Sequence, residues 1–229
     1  FKQGLIGMDP MNIEGIHLMM DRLISGNTSA KAAIDIALYD LKGKVMNQPL
    51  YKVLGGYRDQ IVTDMTIGID KPELMAQEAK ERVERDGFRI LKVKAGINPA
   101  DDIRALTLIR EAVGPDIRLR VDANQGYTVN DAVRVLNEFE KIGVDAVEQC
   151  LMKCGGLYPA EKINAIAEAN HVNCMVGCML ETKVAIAAGV SLVAAKSNIT
   201  EADCDSFMYA VDPEMGMPGG FTIEGGVYT

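Results

Sequence analysis

The chain has 229 residues, of which 48% are hydrophobic and 24% charged, with a formal net charge of −8. That length suits one large domain or two small ones, and the composition excludes a disordered or fibrous protein. The acidic balance, without a dense Lys/Arg block, argues against a nucleic-acid partner. The longest apolar stretch, 184–195, is too short to span a bilayer, so no membrane partner and a cytoplasmic location are expected.

The first fifty or so residues read as helical. Residues 11–24 are apolar at helical spacing, and Thr28 or Ser29 is the expected cap of a second helix running to about Met46. No strand precedes them and Phe1 is not a natural start, so N-terminal material is expected to be missing. From Thr63 the pattern changes to short β-rich runs that begin near Thr63, Ile90, Ile117, Val144, Asn173 and Ile199. Helical segments fall between them at 72–86, 99–113, 128–142, 159–169 and 182–195, several opened by Pro or Thr. Strands separated by helices imply parallel pairing. An open doubly wound sheet and a (β/α)₈ barrel both satisfy this alternation; the absence of Gly-x-Gly-x-x-Gly after the first strand favours the barrel. One run breaks the rhythm: 144–153 continues without a turn residue until Gly155-Gly156.

The five cysteines lie mostly in apolar runs, the pattern of buried, reduced thiols. The pairs Cys150/Cys154 and Cys174/Cys178 invite a zinc reading. The run from Cys174 to Met179 reads as a buried strand, however, where residues four apart are separated by about 13 Å, too far to share one metal. His17 and His171 read as structural, Gly155-Gly156 and Gly219-Gly220 as turns, and the thirteen methionines as fillers of core gaps.

Three successive strands carry the chemistry. In Arg89-Ile-Leu-Lys-Val-Lys94 the two lysines are two residues apart, so Lys92 and Lys94 project from one face. Two cations in a partly dry pocket lower each other's pKa, one way to make a lysine a base; the alternative is an edge strand with both lysines in solvent. The next strand ends in Arg120-Val-Asp-Ala-Asn-Gln125 and the one after in Val147-Glu-Gln149, so Asp122 and Glu148 sit near strand C-termini. Active sites of parallel barrels are built at that end, and two converging carboxylates form a hard oxygen site suited to Mg²⁺. Loop capping or pairing with lysine is the competing use of each acid.

Lys92-Val-Lys94, Val121-Asp-Ala-Asn124, Val147-Glu-Gln149, Leu151-Met-Lys-Cys-Gly-Gly156 and Asp203-Cys-Asp205 follow in order, after a helical lead-in, Ser29 to Gly43 with Pro49 to Gly56. This set resembles the enolase superfamily, in its muconate-lactonising branch, and within it the dipeptide epimerases of the L-Ala-D/L-Glu type. The resemblance implies an enolase-like α/β barrel, with a remnant of the capping domain over 1–56. It implies a partial barrel over 57–210 and a C-terminal segment, 211–229, packing back on the capping region. It implies Mg²⁺ held by Asp122 and Glu148, and Lys94 as one of two opposed acid/base lysines with Lys92 as its electrostatic tuner. The metal would bind the substrate carboxylate and stabilise an enediolate. Asp203 and Asp205 would receive the α-ammonium of a dipeptide, unless they are solvated loop acids. The implied partner is a dipeptide or N-acyl amino acid, and the implied assembly a homo-oligomer. Cycloisomerases and o-succinylbenzoate synthases share the lysines and metal ligands, but an acid pair suits a dipeptide better than an all-anionic substrate.

Family members carry more chain between the strand of Glu148 and the segment beginning at Leu151. That stretch includes the strand with the third metal-ligand aspartate and the start of the strand with the second lysine. Here Cys150 abuts Leu151, and Lys153 is out of register for that lysine, so 144–153 reads as a junction. At about 30 residues per βα unit in a ~250-residue barrel, one to two units are absent, and six strands do not close an eight-stranded barrel. Exposed parallel edges would favour pairing with another chain or aggregation. One lysine on one face exchanges an α-proton without inverting the centre, and the remaining alternative is a catalytically incomplete remnant.

Overall fold

A computed structural model describes residues 1–124, 126–147, 155–169, 173–209 and 220–229. Glu148, Cys150, Lys153, Cys154, His171, Gly219 and the Cys150–Leu151 junction lie outside the described residues. The chain opens with α1 (Lys2–Leu5), α2 (Ile13–Leu23), α3 (Thr28–Met46) and α4 (Leu50–Leu54). Then come β1 (Ile61–Val62), β2 (Met65–Ile67), α5 (Pro72–Glu84), β3 (Ile90–Lys94), α6 (Pro99–Val113), β4 (Arg118–Asp122), α7 (Val129–Ile142) and β5 (Val144–Val147). The rest is α8 (Leu157–Ala169), β6 (Cys174–Val176), α9 (Lys183–Ala195), β7 (Ile199–Ala202), a 3₁₀ turn (Ser206–Tyr209), β8 (Ile223–Glu224) and β9 (Val227–Tyr228). Contacts divide these into two units: a sheet unit, Val62–Gln149 with Thr222–Tyr228, and a helical unit, Phe1–Ile61 with Cys150–Phe221 and Thr229. No helix among the described residues is long and apolar enough to cross a membrane.

In the sheet unit β2, β3, β4 and β5 are parallel neighbours in chain order. Leu91 and Val93 pair in register with Leu119 and Val121. All four are buried, and they form the apolar face. Each fully buried Leu or Val of that face contributes about 1.5–3 kcal/mol. Helices α5 and α6 pack together, burying Met75 and Ala79 from one and Ala105, Leu106 and Ile109 from the other, the i, i+1, i+4 spacing of a helix stripe. Pro72 and Pro99 open these helices, and Asn98 accepts from the N–H of Ala100. The register between β4 and β5 shifts at Leu119/Arg120, and there the side chain of Asp145 accepts the N–H of Leu119 (2.9 Å). Arg110 braces α6, donating to the carbonyls of Gly114, Ile117, Ile142 and Gly143 at 2.6–3.0 Å.

The helical unit packs α2, which buries Ile13, Ile16, His17 and Met20, with α3. β6 and β7 form a parallel pair beside the apolar helix α9. Polar bonds reach across long sequence separations: His17 Nε2 lies 2.6 Å from Asp35 Oδ1, and Tyr39 donates to Glu161 (3.0 Å), which also meets Lys196 Nζ (2.8 Å). His17 is thereby a structural residue, as expected.

Several boundaries differ from expectation. Asn27, in a left-handed backbone (φ 51°) and without a side-chain cap bond, precedes α3 where a Thr28 or Ser29 cap was expected. Helix α8 begins at Leu157, two residues before Pro159, because Asp35 Oδ2 of α3 accepts the N–H of Leu157 (2.6 Å); a cap supplied from 122 residues away leaves no local signal. Strand β6 stops at Val176 instead of running to Met179. Its ladder ends where the N–H of Asp203, just past β7, donates to the carbonyl of Val176 (2.8 Å). Cys174 is accordingly half-buried, whereas Cys178 and Cys204 are buried thiols.

Candidate functional site

Strand β3 is internal, flanked by β2 and β4, so the alternative of an edge strand with solvent-facing lysines is set aside. In the parallel register Lys92 lies beside Arg120 and Lys94 beside Asp122, which puts all four side chains on the face opposite the apolar one. The row has a closed end and an open end. At the closed end Lys92 and Arg120 are each 2% exposed, and Arg120 Nη1 donates to Asp64 Oδ2 at 2.7 Å, an ion pair with both side chains buried. At the open end Lys94, with 27% of its side chain exposed, donates through Nζ to Asp122 Oδ2 at 2.6 Å.

Asp122 ends β4, as expected of a strand-end acid, and it is held from two sides. The N–H of Asn124 donates to Oδ1 (2.9 Å) and its Nδ2 donates to Oδ2 (3.3 Å). Asn124 itself takes a left-handed backbone (φ 44°), a conformation asparagine tolerates. Beyond the strand ends, Asp102 Oδ2 accepts from Gly96 N (3.1 Å) and Tyr127 OH (2.7 Å). Asp122 offers hard carboxylate oxygens that already hold a cationic group, the donor chemistry Mg²⁺ takes. Asp122 therefore fits such an ion.

In the helical unit, Asp203 and Asp205 follow β7 directly. Both are buried, which overturns the alternative of solvated loop acids. The Cys178 thiol lies 3.5 Å from Asp203 Oδ1 and 3.6 Å from Asp205 Oδ1. Ligand atoms of Cys178, Asp203 and Asp205 all fall within 4.8 Å of one another. Glu181 steadies the neighbouring loop, since its Oε2 accepts from Met179 N (2.6 Å) and Ser206 Oγ (3.2 Å). Such a concentration of carboxylates suits an ammonium group. Cys178 also borders a cavity of about 180 Å³ whose walls include Ile36, Leu157, Ile186 and Leu192.

Of the six expected site residues, Lys92, Lys94 and Asp122 are brought together in the sheet unit and Asp203 with Asp205 in the helical unit; Glu148 lies outside the described residues. Sequence reasoning missed Asp64, Asp102 and Tyr127, and it set Cys178 aside as a buried thiol. Asp64 meets Arg120 across 56 residues and Tyr127 meets Asp102 across 25, so no local spacing announces them.

Residues 2–55 match the family described as mandelate racemase / muconate lactonizing enzyme, N-terminal domain. The enolase C-terminal domain-like family matches in two pieces, 74–153 and 144–229, which overlap in the run that reads as a junction. The "Hydrophobic dipeptide epimerase" of Enterococcus faecalis is 41% identical over 254 aligned residues, covering 90% of this chain and 72% of the relative. The "L-Ala-D/L-Glu epimerase" of Clostridium acetobutylicum is 40% identical over 253, covering 89% and 70%. Both alignments are longer than the 229-residue chain, so these relatives carry internal residues with no counterpart here. Among solved structures, the dipeptide epimerase of E. faecalis complexed with Mg and the dipeptide L-Leu-L-Tyr superposes with a TM-score of 0.89 at 39% identity, over 99% of this chain and 77% of that one. By these likenesses the protein is an isomerase of the racemase and epimerase group, with an enolase-like α/β fold. The chain belongs to the mandelate racemase / muconate lactonizing enzyme family of the enolase superfamily.

Proposed function

We propose that the chain carries Mg²⁺-dependent proton-transfer chemistry at the carbon α to a carboxylate, acting on dipeptides of the L-Ala-D/L-Glu type. The observation that carries this reading is the Lys94–Asp122 pair, 2.6 Å apart at the ends of adjacent parallel strands. Lys94 is the residue that takes up the α-proton, from a position on the substrate-accessible end of the charged row. Lys92, buried two residues earlier, supplies a fixed positive charge beneath it. Asp122 and Glu148 are the residues that would hold Mg²⁺, which when bound draws negative charge from the substrate carboxylate as the proton leaves. Asp203 and Asp205 supply the negative charge that a dipeptide's α-ammonium requires, and this disfavours the all-anionic substrates of cycloisomerases and o-succinylbenzoate synthases.

A second reading rests on the two-piece family match and on alignments longer than the chain. With one acid/base lysine, the expected reaction is exchange of the α-proton without inversion, so the chain would be a catalytically incomplete relative of the epimerases. One experiment addresses both readings: L-Ala-L-Glu in D₂O with Mg²⁺, followed by proton NMR and chiral analysis. Loss of the α-proton signal together with D-Glu supports full epimerisation, and loss of the signal alone supports one-base exchange. A retained signal with every dipeptide tried would overturn the proposal.

A further inference from the structure

We propose that Asp102 and Tyr127 are positioning residues that clamp the loop leaving β3 to the loop leaving β4 and so hold Lys94 against Asp122. This rests on the function proposed above. The clamp is one carboxylate oxygen with two donors: Asp102 Oδ2 accepts from Gly96 N at 3.1 Å and from Tyr127 OH at 2.7 Å. Gly96 lies two residues after Lys94, and Tyr127 lies five after Asp122. A carboxylate buried to the extent of Asp102 is costly unless its lone pairs are engaged, and here both donors come from the loops that leave the two reacting strands.

The backbone beneath the clamp has no slack. Ala95 N donates to Asp122 O (3.0 Å), which carries the strand pairing past the end of β3, and Gly126 N closes a turn onto Ala123 O (2.7 Å). A β-carbon on Gly96 would lie 2.2 Å from Ala123 O, and one on Gly126 would lie 2.0 Å from Gly96 O. Real β-carbons do not approach backbone oxygen so closely, so the two loops are in direct backbone contact and a shift of one displaces the other. Burial, then the Asp102 bond, pushes the Tyr127 hydroxyl well above its ordinary range, so it stays a donor at any physiological pH.

An acid in the first turns of a helix that accepts a preceding N–H is an ordinary capping contact and affects stability alone. Asp102 differs because the Tyr127 hydroxyl comes from the other loop. Tyr127→Phe removes that hydroxyl and leaves the Gly96–Asp102 bond intact, so it isolates the bridge. The expected result is a kcat for α-deuteration lowered roughly tenfold with KM within about twofold, Mg²⁺ binding by calorimetry weakened several-fold, and a melting midpoint moved by less than about 3 °C. Asp102→Asn keeps one acceptor oxygen for both donors and is expected to retain more of the wild-type kcat and Mg²⁺ affinity than Tyr127→Phe does. Arg110→Ala is the control for plain destabilisation, since the Arg110 bonds among the described residues go to the carbonyls of Gly114, Ile117, Ile142 and Gly143, away from the strand C-termini; it is expected to keep kcat wherever it remains folded. Unchanged kcat and Mg²⁺ affinity in Tyr127→Phe, or a loss matched by Arg110→Ala at equal melting midpoint, overturns the clamp. Amide hydrogen exchange over 94–97 and 122–127 reads the clamp without turnover. Faster exchange in both loops of Tyr127→Phe supports it and unchanged exchange refutes it, even if the wild-type chain proves inactive and the functional reading fails.

Discussion

The sheet unit and the helical unit handle charge in different ways. In the sheet unit opposite charges sit at contact distance, Lys94 with Asp122 on adjacent strands and Arg120 of β4 with Asp64 just before β2, and register sets the first of these pairs. In the helical unit acids gather just beyond the ends of β6 and β7, where Asp203 and Asp205 share the Cys178 thiol. The first arrangement pairs each acid with a cation, and the second concentrates negative charge. The difference teaches that a parallel ladder places chemistry by periodicity, whereas a cluster past the strand ends depends on loops whose course is set by packing.

The comparison is broken most directly at Lys94. Lys94→Met is expected to lower Mg²⁺-dependent α-deuteration by about a thousandfold with an unchanged circular dichroism spectrum; retention of activity would mean that the sheet unit is not the reacting half. Asp64→Ala removes a carboxylate held 2.7 Å from the buried Arg120, and urea unfolding should report a loss of about 3 kcal/mol. The acid cluster is tested by Asp203→Asn combined with Asp205→Asn, expected to raise KM for a dipeptide about tenfold or more. An N-succinyl amino acid, which has no ammonium to place, should be less affected, and equal effects on the two substrates would count against ammonium binding.

A smaller effect sharpens the contrast through pH. Burial holds the Asp35 carboxyl above its ordinary value of 3.8, opposed by the bond from His17. The folded state therefore binds that proton more tightly than the unfolded chain does. This group's contribution to stability is full below pH 3.8 and is lost as pH rises through the raised value. Asp35→Asn should flatten the dependence of the urea midpoint on pH in that window, and an unchanged slope would show that Asp35 is not its source. At the bottom of the scale, Lys44→Ala breaks an exposed pair with Asp40 and should cost less than about 0.5 kcal/mol.

Much of the architecture is legible in the sequence. Runs expected near Thr63, Ile90, Ile117, Val144, Asn173 and Ile199 correspond to β2 through β7, and α6 has the expected bounds. Strands of a parallel sheet are buried on both faces, so their β-branched and apolar runs stand out against amphipathic helices. The shared face of Lys92 and Lys94 followed from the two-residue period, and Asp122 from its place at a strand end. Legibility failed where a partner is remote. Asp35 caps α8, Asp64 pairs with Arg120, and Cys178, two residues past the end of β6, meets the two acids.

The sequence by itself determined the alternation of strands and helices, the side on which each strand residue points, and the ordered motifs that mark the family, because all of these depend on near neighbours along the chain. Only the tertiary structure decided that Lys92 is sealed while Lys94 is reachable, that Asp203 and Asp205 are buried, and that Asp102 and Tyr127 bridge two loops. Burial and hydrogen bonding between residues tens of positions apart are set when the elements pack, and no spacing in the chain encodes them on its own.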